Sequence, residues 1–141
     1  MYQVSVRSKF SAVHSLLLAD GQYEPSHGHN WSVEARFAGP ELDATGILVD
    51  FREVQAALRK VLGQLHHADL NGSALLGGLN PSAENVARAI CAALAADVPC
   101  PQMLESVCVE EAPGCTATYF PGACNPVSRA ACPVDDNKRD R

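Results

Sequence analysis

Residues 27–37 read His27-Gly28-His29-Asn30-Trp31-Ser32-Val33-Glu34-Ala35-Arg36-Phe37. The odd positions carry His27, His29, Trp31, Val33, Ala35 and Phe37, and from Asn30 the even ones are polar. Successive side chains of a strand point to opposite faces, so this alternation predicts a half-buried strand whose buried face begins with two histidines. Residues 2–14 repeat the pattern. Tyr2, Val4, Val6, Phe10, Ala12 and His14 share one parity, Gln3, Ser5, Arg7, Lys9 and Ser11 the other. The segment between them holds Asp20, Gly21, Pro25 and Ser26 and reads as a loop, which makes the first two elements a hairpin.

Outward from that hairpin the period changes. Asp50 stands before Phe51, Val54, Leu58, Val61, Leu62 and Leu65, an apolar stripe at helical spacing, with Glu53 completing a capping box. A polar, glycine-bearing loop follows from His66 to Gly78. Asn80-Pro81 opens a second helix, with proline at its first position and Val86, Ile90, Ala93 and Leu94 on its apolar face, until Pro99 and Pro101 end it. Val107, Val109 and Glu111 then share a strand face. Pro113-Gly114 turns the chain, and Cys115, Ala117 and Tyr119 alternate with Thr116 and Thr118. The order ββααββ predicts an α+β domain: a four-stranded antiparallel sheet with both helices on one face. Its boundaries are placed at 1–121, with 122–141 as a mobile tail rich in Pro, Asp, Lys and Arg. Two uncovered sheet edges would favour a homo-oligomer.

Composition narrows the function. The chain has 141 residues, 47% hydrophobic and 19% charged, which suits one globular domain. A net charge of -5 argues against a general nucleic-acid binder. No apolar run reaches the roughly 18 residues of a membrane span. The first residues alternate like a strand and have no signal-peptide regions, and the six cysteines form no Cys-x-x-Cys pair, so thiols in a reducing cytoplasm are expected.

The chemistry concentrates in three places. His27 and His29, at i and i+2 on one strand face, can reach one ion, and His14 at the end of the first strand can supply a third imidazole. Three protein ligands with a fourth position open is the arrangement of catalytic zinc. Glu24, three residues before His27, is a candidate general base. Glu111 lies on the apolar parity of its strand, where an unpaired carboxylate is costly, so it is either a fixed acceptor for ligand donors or one half of an ion pair. His66-His67 closes the first helix, as a dipole-favoured pair or an acid/base group. Gly21, His27, His29 and Glu34 also fit half of a cupin metal motif, but cupins are all-β barrels and this chain places two helices between its hairpins.

In order along the chain, Phe10-Ser11-Ala12-Val13-His14, His27-Gly28-His29-Asn30-Trp31, Asp50-Phe51, Leu70-Asn71, Asn80-Pro81-Ser82-Ala83-Glu84-Asn85 and Val107-Cys108-Val109-Glu110-Glu111 resemble the 6-pyruvoyl-tetrahydropterin synthase and 6-carboxytetrahydropterin synthase family over roughly residues 2–120. The resemblance implies a tunnelling fold assembled as trimers or hexamers, a zinc ion on His14, His27 and His29, and a pterin bound between subunits. It implies that Glu111 anchors the pterin ring, that Ser82, Ala83 and Glu84 line the pocket, and that His67 is catalytic. Two positions depart from the common pattern. A nucleophile-like cysteine usually stands where this chain has Tyr23, and Glu24 beside it resembles the glutamate-type branch, class III. That branch converts 7,8-dihydroneopterin triphosphate to 6-hydroxymethyl-7,8-dihydropterin for folate synthesis. The usual Asp before the catalytic histidine is His66 here, with Asp69 two residues beyond His67. The resemblance therefore implies a zinc-dependent lyase with Glu24 moving a proton at the substrate side chain. Alternatives are the biopterin- or carboxy-type reaction, against which Tyr23 argues, and a pterin-binding homologue with little catalysis.

Overall fold

The computed structural model describes residues 1–122, so the expected tail lies, but for Gly122, outside the described residues. Strand β1 (Tyr2–His14) pairs antiparallel with β2 (His27–Gly39), β2 with β3 (Leu104–Ala112), and β3 with β4 (Cys115–Tyr119), giving one sheet in the order β1-β2-β3-β4. Helix α1 (Phe51–Gly63) packs on β1, α2 (Ala83–Asp97) packs on β3 and β4, and the helices touch each other. This is the predicted ββααββ fold. Among the described residues no helix is long and apolar enough to cross a membrane.

The parity of the strands decides which face is covered. Phe10 and Ala12 of β1, Trp31, Val33, Ala35 and Phe37 of β2, and Val107 and Val109 of β3 are all buried in one cluster with Val54, Leu58, Val61 and Leu62 of α1 and Val86, Ile90 and Leu94 of α2. Phe10 and Trp31 are direct cross-strand partners and stack with centroids 5.7 Å apart and planes 7° from parallel. Such a pair adds about 0.5–1.5 kcal/mol beyond its buried area and favours the observed β1–β2 register, because a slip of one residue would turn the slipped strand's ring to solvent and break the stack. That register sets His14 opposite His27.

Several local details differ from the sequence reading. Asp50 does cap α1, but its carboxylate accepts from Arg52 N at 2.8 Å rather than forming a capping box with Glu53. Phe51 is half exposed, and Ala57 takes its place in the buried stripe. Helix α2 begins at Ala83, two residues after the expected Asn80-Pro81 start, with Ser82 as N-cap accepting from Asn85 N. The reason is that the Pro81 carbonyl is committed to a side chain of β1, described below. Cys91, Cys108 and Cys115 are free thiols, but Cys100 is disulfide-bonded, which departs from the all-thiol expectation.

The edge of β1 is covered by a segment that is not a strand. Alternate residues of an extended chain present their backbone groups to the same edge. At Ser11 the carbonyl accepts from His67 N at 2.7 Å and the N–H donates to His66 Nδ1 at 3.1 Å. At Val13 the N–H donates to the Ala68 carbonyl at 3.1 Å. Two asparagine side chains continue the ladder beyond the strand, at Ser15 and Leu17.

Candidate metal centre and active site

His14, His27, His29 and Glu111 converge: one ligand atom from each lies within 4.8 Å of all the others. The first three sit at the adjoining ends of β1 and β2. Glu111 reaches them because β3 is irregular there. Glu110 pairs with Thr116 and Ala112 with Cys115, so Glu111 is an extra residue on its strand. A bulge of this kind re-aims a side chain, and here Glu111 Oε1 lies 2.7 Å from His14 Nε2 and 3.4 Å from His29 Nε2.

The hydrogen-bond partners fix what these atoms can do. His14 Nδ1 is 2.8 Å from the Pro81 carbonyl and His27 Nδ1 is 2.9 Å from the Pro25 carbonyl. A carbonyl only accepts, so both Nδ1 atoms carry hydrogen and, in the neutral rings, both Nε2 atoms present lone pairs. Those lone pairs face each other at 3.1 Å. His29 Nε2 is buried without a hydrogen-bond partner. Burial holds the His29 pKa below the ordinary value despite the opposing pull of Glu111, which favours its neutral, ligating form. His14 and His27 thus turn lone pairs toward each other, and His14 toward the Glu111 carboxylate, with no hydrogen to share among neutral rings, an arrangement that a bound cation relieves. In tetrahedral zinc with bonds of about 2.0–2.1 Å, donor atoms stand roughly 3.3 Å apart, and the 3.1 Å between the His14 and His27 Nε2 atoms is close to that spacing. The outward Nδ1–H to carbonyl contacts are the outer shell that such ligands use to fix ring orientation. The residues fit a metal ion.

Glu24 lies beside this centre, with Oε1 3.6 Å from His27 Nε2. It sits at the foot of a small hairpin. Glu24 N donates to the Leu16 carbonyl at 3.0 Å, Leu16 N donates to Glu24 Oε1 at 3.2 Å, Ser15 Oγ donates to the Glu24 carbonyl, and Leu17 bridges Tyr23. Tyr23 itself is 63% exposed.

His67 is placed differently. It is exposed, its ring stacks on His66 at 3.7 Å, and it is the sole non-glycine among the described residues with positive φ, at 59°. Its backbone N–H is held by the Ser11 carbonyl. It lines a shallow cleft with Ser11, Val13, Gly28, His29, Asn30 and Asp69, which spans β1 and β2. Ser82 serves as the α2 cap and Glu84 is exposed in the first turn of α2, both adjoining Pro81 and so the outer shell of His14. The structure brings His14, His27, His29, Glu111 and Glu24 together, and His67 shares a cleft with His29.

Two asparagines escaped sequence reasoning as site residues in their own right. Asn71 Oδ1 accepts from Ser15 N and its Nδ2 donates to Ser15 O, both at 2.8 Å. Asn80 treats Leu17 the same way, at 2.8 and 3.1 Å. Their partners lie 56 and 63 residues away in sequence, so no local pattern could reveal them.

A sequence profile described as 6-pyruvoyl tetrahydropterin synthase matches residues 3–122. Solved structures share the fold. Caenorhabditis elegans 6-pyruvoyl tetrahydropterin synthase is 21% identical, with TM-score 0.76 over 86% of this chain and 96% of that one. A Plasmodium vivax 6-pyruvoyltetrahydropterin synthase, in a variant described as replacing a catalytic glutamate by alanine, is 20% identical, with TM-score 0.69 over 86% and 98%. An uncharacterised Wolinella succinogenes protein is 17% identical, with TM-score 0.68 over the same shares. No curated protein matches the chain significantly.

Proposed function

The chain belongs to the 6-pyruvoyl tetrahydropterin synthase family of pterin lyases, and we propose that it is a zinc-dependent member of the glutamate-type branch, converting 7,8-dihydroneopterin triphosphate to 6-hydroxymethyl-7,8-dihydropterin for folate synthesis. The observation that carries the proposal is Glu24. A carboxylate, not a thiol, is held 3.6 Å from a ligand histidine, and Tyr23 beside it points to solvent. The Plasmodium vivax relative, whose altered catalytic residue is a glutamate, supports the same reading.

In this proposal His14, His27 and His29 hold zinc, which would supply Lewis acidity toward a side-chain hydroxyl of the substrate. Glu24 takes the proton from the hydroxyl on the second side-chain carbon, and the bond between the first two side-chain carbons breaks with its electron pair passing into the ring. The hydroxyl-bearing fragment leaves as an aldehyde, and the proton is returned to the first side-chain carbon to complete the hydroxymethyl group. A carboxylate is a weak base, so the task depends on its fixed position more than on intrinsic strength. Glu111 is the acceptor for the ring's amino and N–H donors, which a carboxylate can take two at a time. Its place at the mouth of the cluster, 23% exposed, suits a group that must meet a ligand. Ser82 and Glu84, beside Pro81, line the pterin pocket. His67 relays a proton, and because its chain contacts lie on the outer side of β1 we assign it to the site of an adjoining copy in a homotrimer or hexamer. The domain so defined spans residues 1–121, and the compartment proposed is the cytoplasm.

Glu24→Gln tests the assignment. The protein should keep zinc and pterin binding but lose turnover of 7,8-dihydroneopterin triphosphate by about 10²–10⁴-fold, the usual worth of a positioned acid/base group. Product analysis by chromatography identifies the branch. A Glu24→Gln protein releasing 6-hydroxymethyl-7,8-dihydropterin at the parent rate would overturn the proposal.

A further inference from the structure

The hairpin that bears Glu24 has no apolar anchor. None of residues 15–24 is buried, and Leu17, Leu18 and Tyr23 are 42%, 45% and 63% exposed. A segment with so little buried apolar surface has low local stability, and polar links must set its position. On its inner side those links are the Leu16–Glu24 and Ser15–Glu24 contacts, which hold the hairpin together but fasten it to nothing else. Its outer side is fastened by two amides. Each asparagine presents its oxygen to an N–H and its nitrogen to the carbonyl of the same residue, as a neighbouring strand would, Asn71 at Ser15 and Asn80 at Leu17.

Both amides are mounted on rigid ground. Asn71 lies in the 3-10 turn Leu70–Gly72, beside the fully buried Leu70, with its own N–H held by the Asp69 carboxylate at 3.0 Å. The Asn80 carbonyl accepts from Ser82 N at 2.8 Å and from Asn85 Nδ2 at 2.9 Å, and the next residue, buried Pro81, gives its carbonyl to His14. The same short stretch therefore positions a metal ligand with its main chain and the Glu24 hairpin with its side chain.

We infer that Asn71 and Asn80 are positioning residues that hold Glu24 at the metal centre by acting as a two-residue surrogate strand, an inference that rests on the catalytic reading of Glu24. Loss of either amide lets the hairpin drift, and a misplacement of about 1 Å can cost about a hundredfold in rate.

The test uses the full-length, zinc-loaded chain with 7,8-dihydroneopterin triphosphate as probe. Asn80→Ala and the isosteric Asn80→Asp, which sets an oxygen against the Leu17 carbonyl, are each made alone and combined with Glu24→Gln. The expected result is a fall in kcat of about 10–100-fold with KM changed less than twofold, and no further fall when Glu24 is already Gln, because residues acting as a unit are non-additive. Hydrogen exchange, which needs no turnover, should be faster at the Leu17 and Glu24 amides and unchanged at Trp31 and Val33. Unaltered exchange at Glu24, or an equal loss of rate in both Glu24 backgrounds, overturns the inference. Full activity of Glu24→Gln alone would instead strike the catalytic reading itself.

Discussion

His14 and His27 face the same centre, yet removing them should have very different consequences for the fold. His14 is fully buried, packed edge-on against Trp31 at a centroid distance of 5.0 Å and against His27 and His29 at 4.7 and 5.2 Å. His14→Ala empties that space and strips the buried Pro81 carbonyl of its donor. A core truncation of this size costs about 2–4 kcal/mol, and an orphaned buried acceptor about 1–3 kcal/mol more. Relief of the lone-pair crowding with His27 offsets part of this, so about 3–5 kcal/mol is expected. The His27 side chain is 38% exposed and its carbonyl partner Pro25 lies at the surface, so His27→Ala should stay within about 1 kcal/mol. Urea melts with a chelator present, at one protein concentration, isolate this difference. With slopes of about 1–3 kcal/mol per molar urea, the His14→Ala midpoint should fall by roughly 1–5 M and that of His27→Ala by at most about 1 M. Zinc added to the parent should raise its midpoint, and each variant should lose most of that gain, since either removes a ligand. Equal apo stabilities for the two variants would refute the argument that His14 is structural as well as metal-binding.

Other expectations follow from the same coordinates. Burial pushes the Cys91 thiol up to about 11, so at pH 8 only about one molecule in a thousand carries the thiolate; iodoacetamide with mass spectrometry should label exposed Cys115 and leave Cys91 unreacted until the protein is unfolded. The Glu34 carboxyl is held below its ordinary value of 4.5, first by its hydrogen bond with Arg36, and burial works against this. Its contribution is therefore present above the unfolded value and lost as pH falls through the folded one. Glu34→Gln should cost about 0.5–1 kcal/mol at pH 7, a gap that acid denaturation curves should show closing below pH ~4. His67 adopts φ 59°, a region costly for most side chains: by thermal melts His67→Gly should match parent stability within about 0.5 kcal/mol while losing turnover, and His67→Val should lose about 1–2 kcal/mol.

The fold was legible where burial follows a simple period. Phe10, Ala12 and His14 on one strand and Trp31, Val33, Ala35 and Phe37 on the next announce both the strands and the face that carries the histidines, because only one parity can enter the core. The site was legible for a related reason: His14 and Glu111 were polar residues on apolar parities, and such a residue must find a partner. They meet at 2.7 Å, in a cluster whose facing lone pairs suit a shared cation rather than each other. What escaped depends on where partners come from. Glu111 reaches the cluster through a strand irregularity whose extra residue is defined only by pairing with β4. Helix α2 starts late because the Pro81 carbonyl, which a helix begun there would use internally, is taken by a ring 67 residues away. Asn80 marked the start of the second helix and Asn71 stood in a loop, and neither position showed that its side chain would pair with Leu17 or Ser15. For α2 and the two asparagines the missing information is a long-range hydrogen-bond partner. Hydrophobic periodicity records which face of an element is covered. It does not record which carbonyl or amide completes an edge, and here those completions join Glu24, His14 and the start of α2 along a single strand edge.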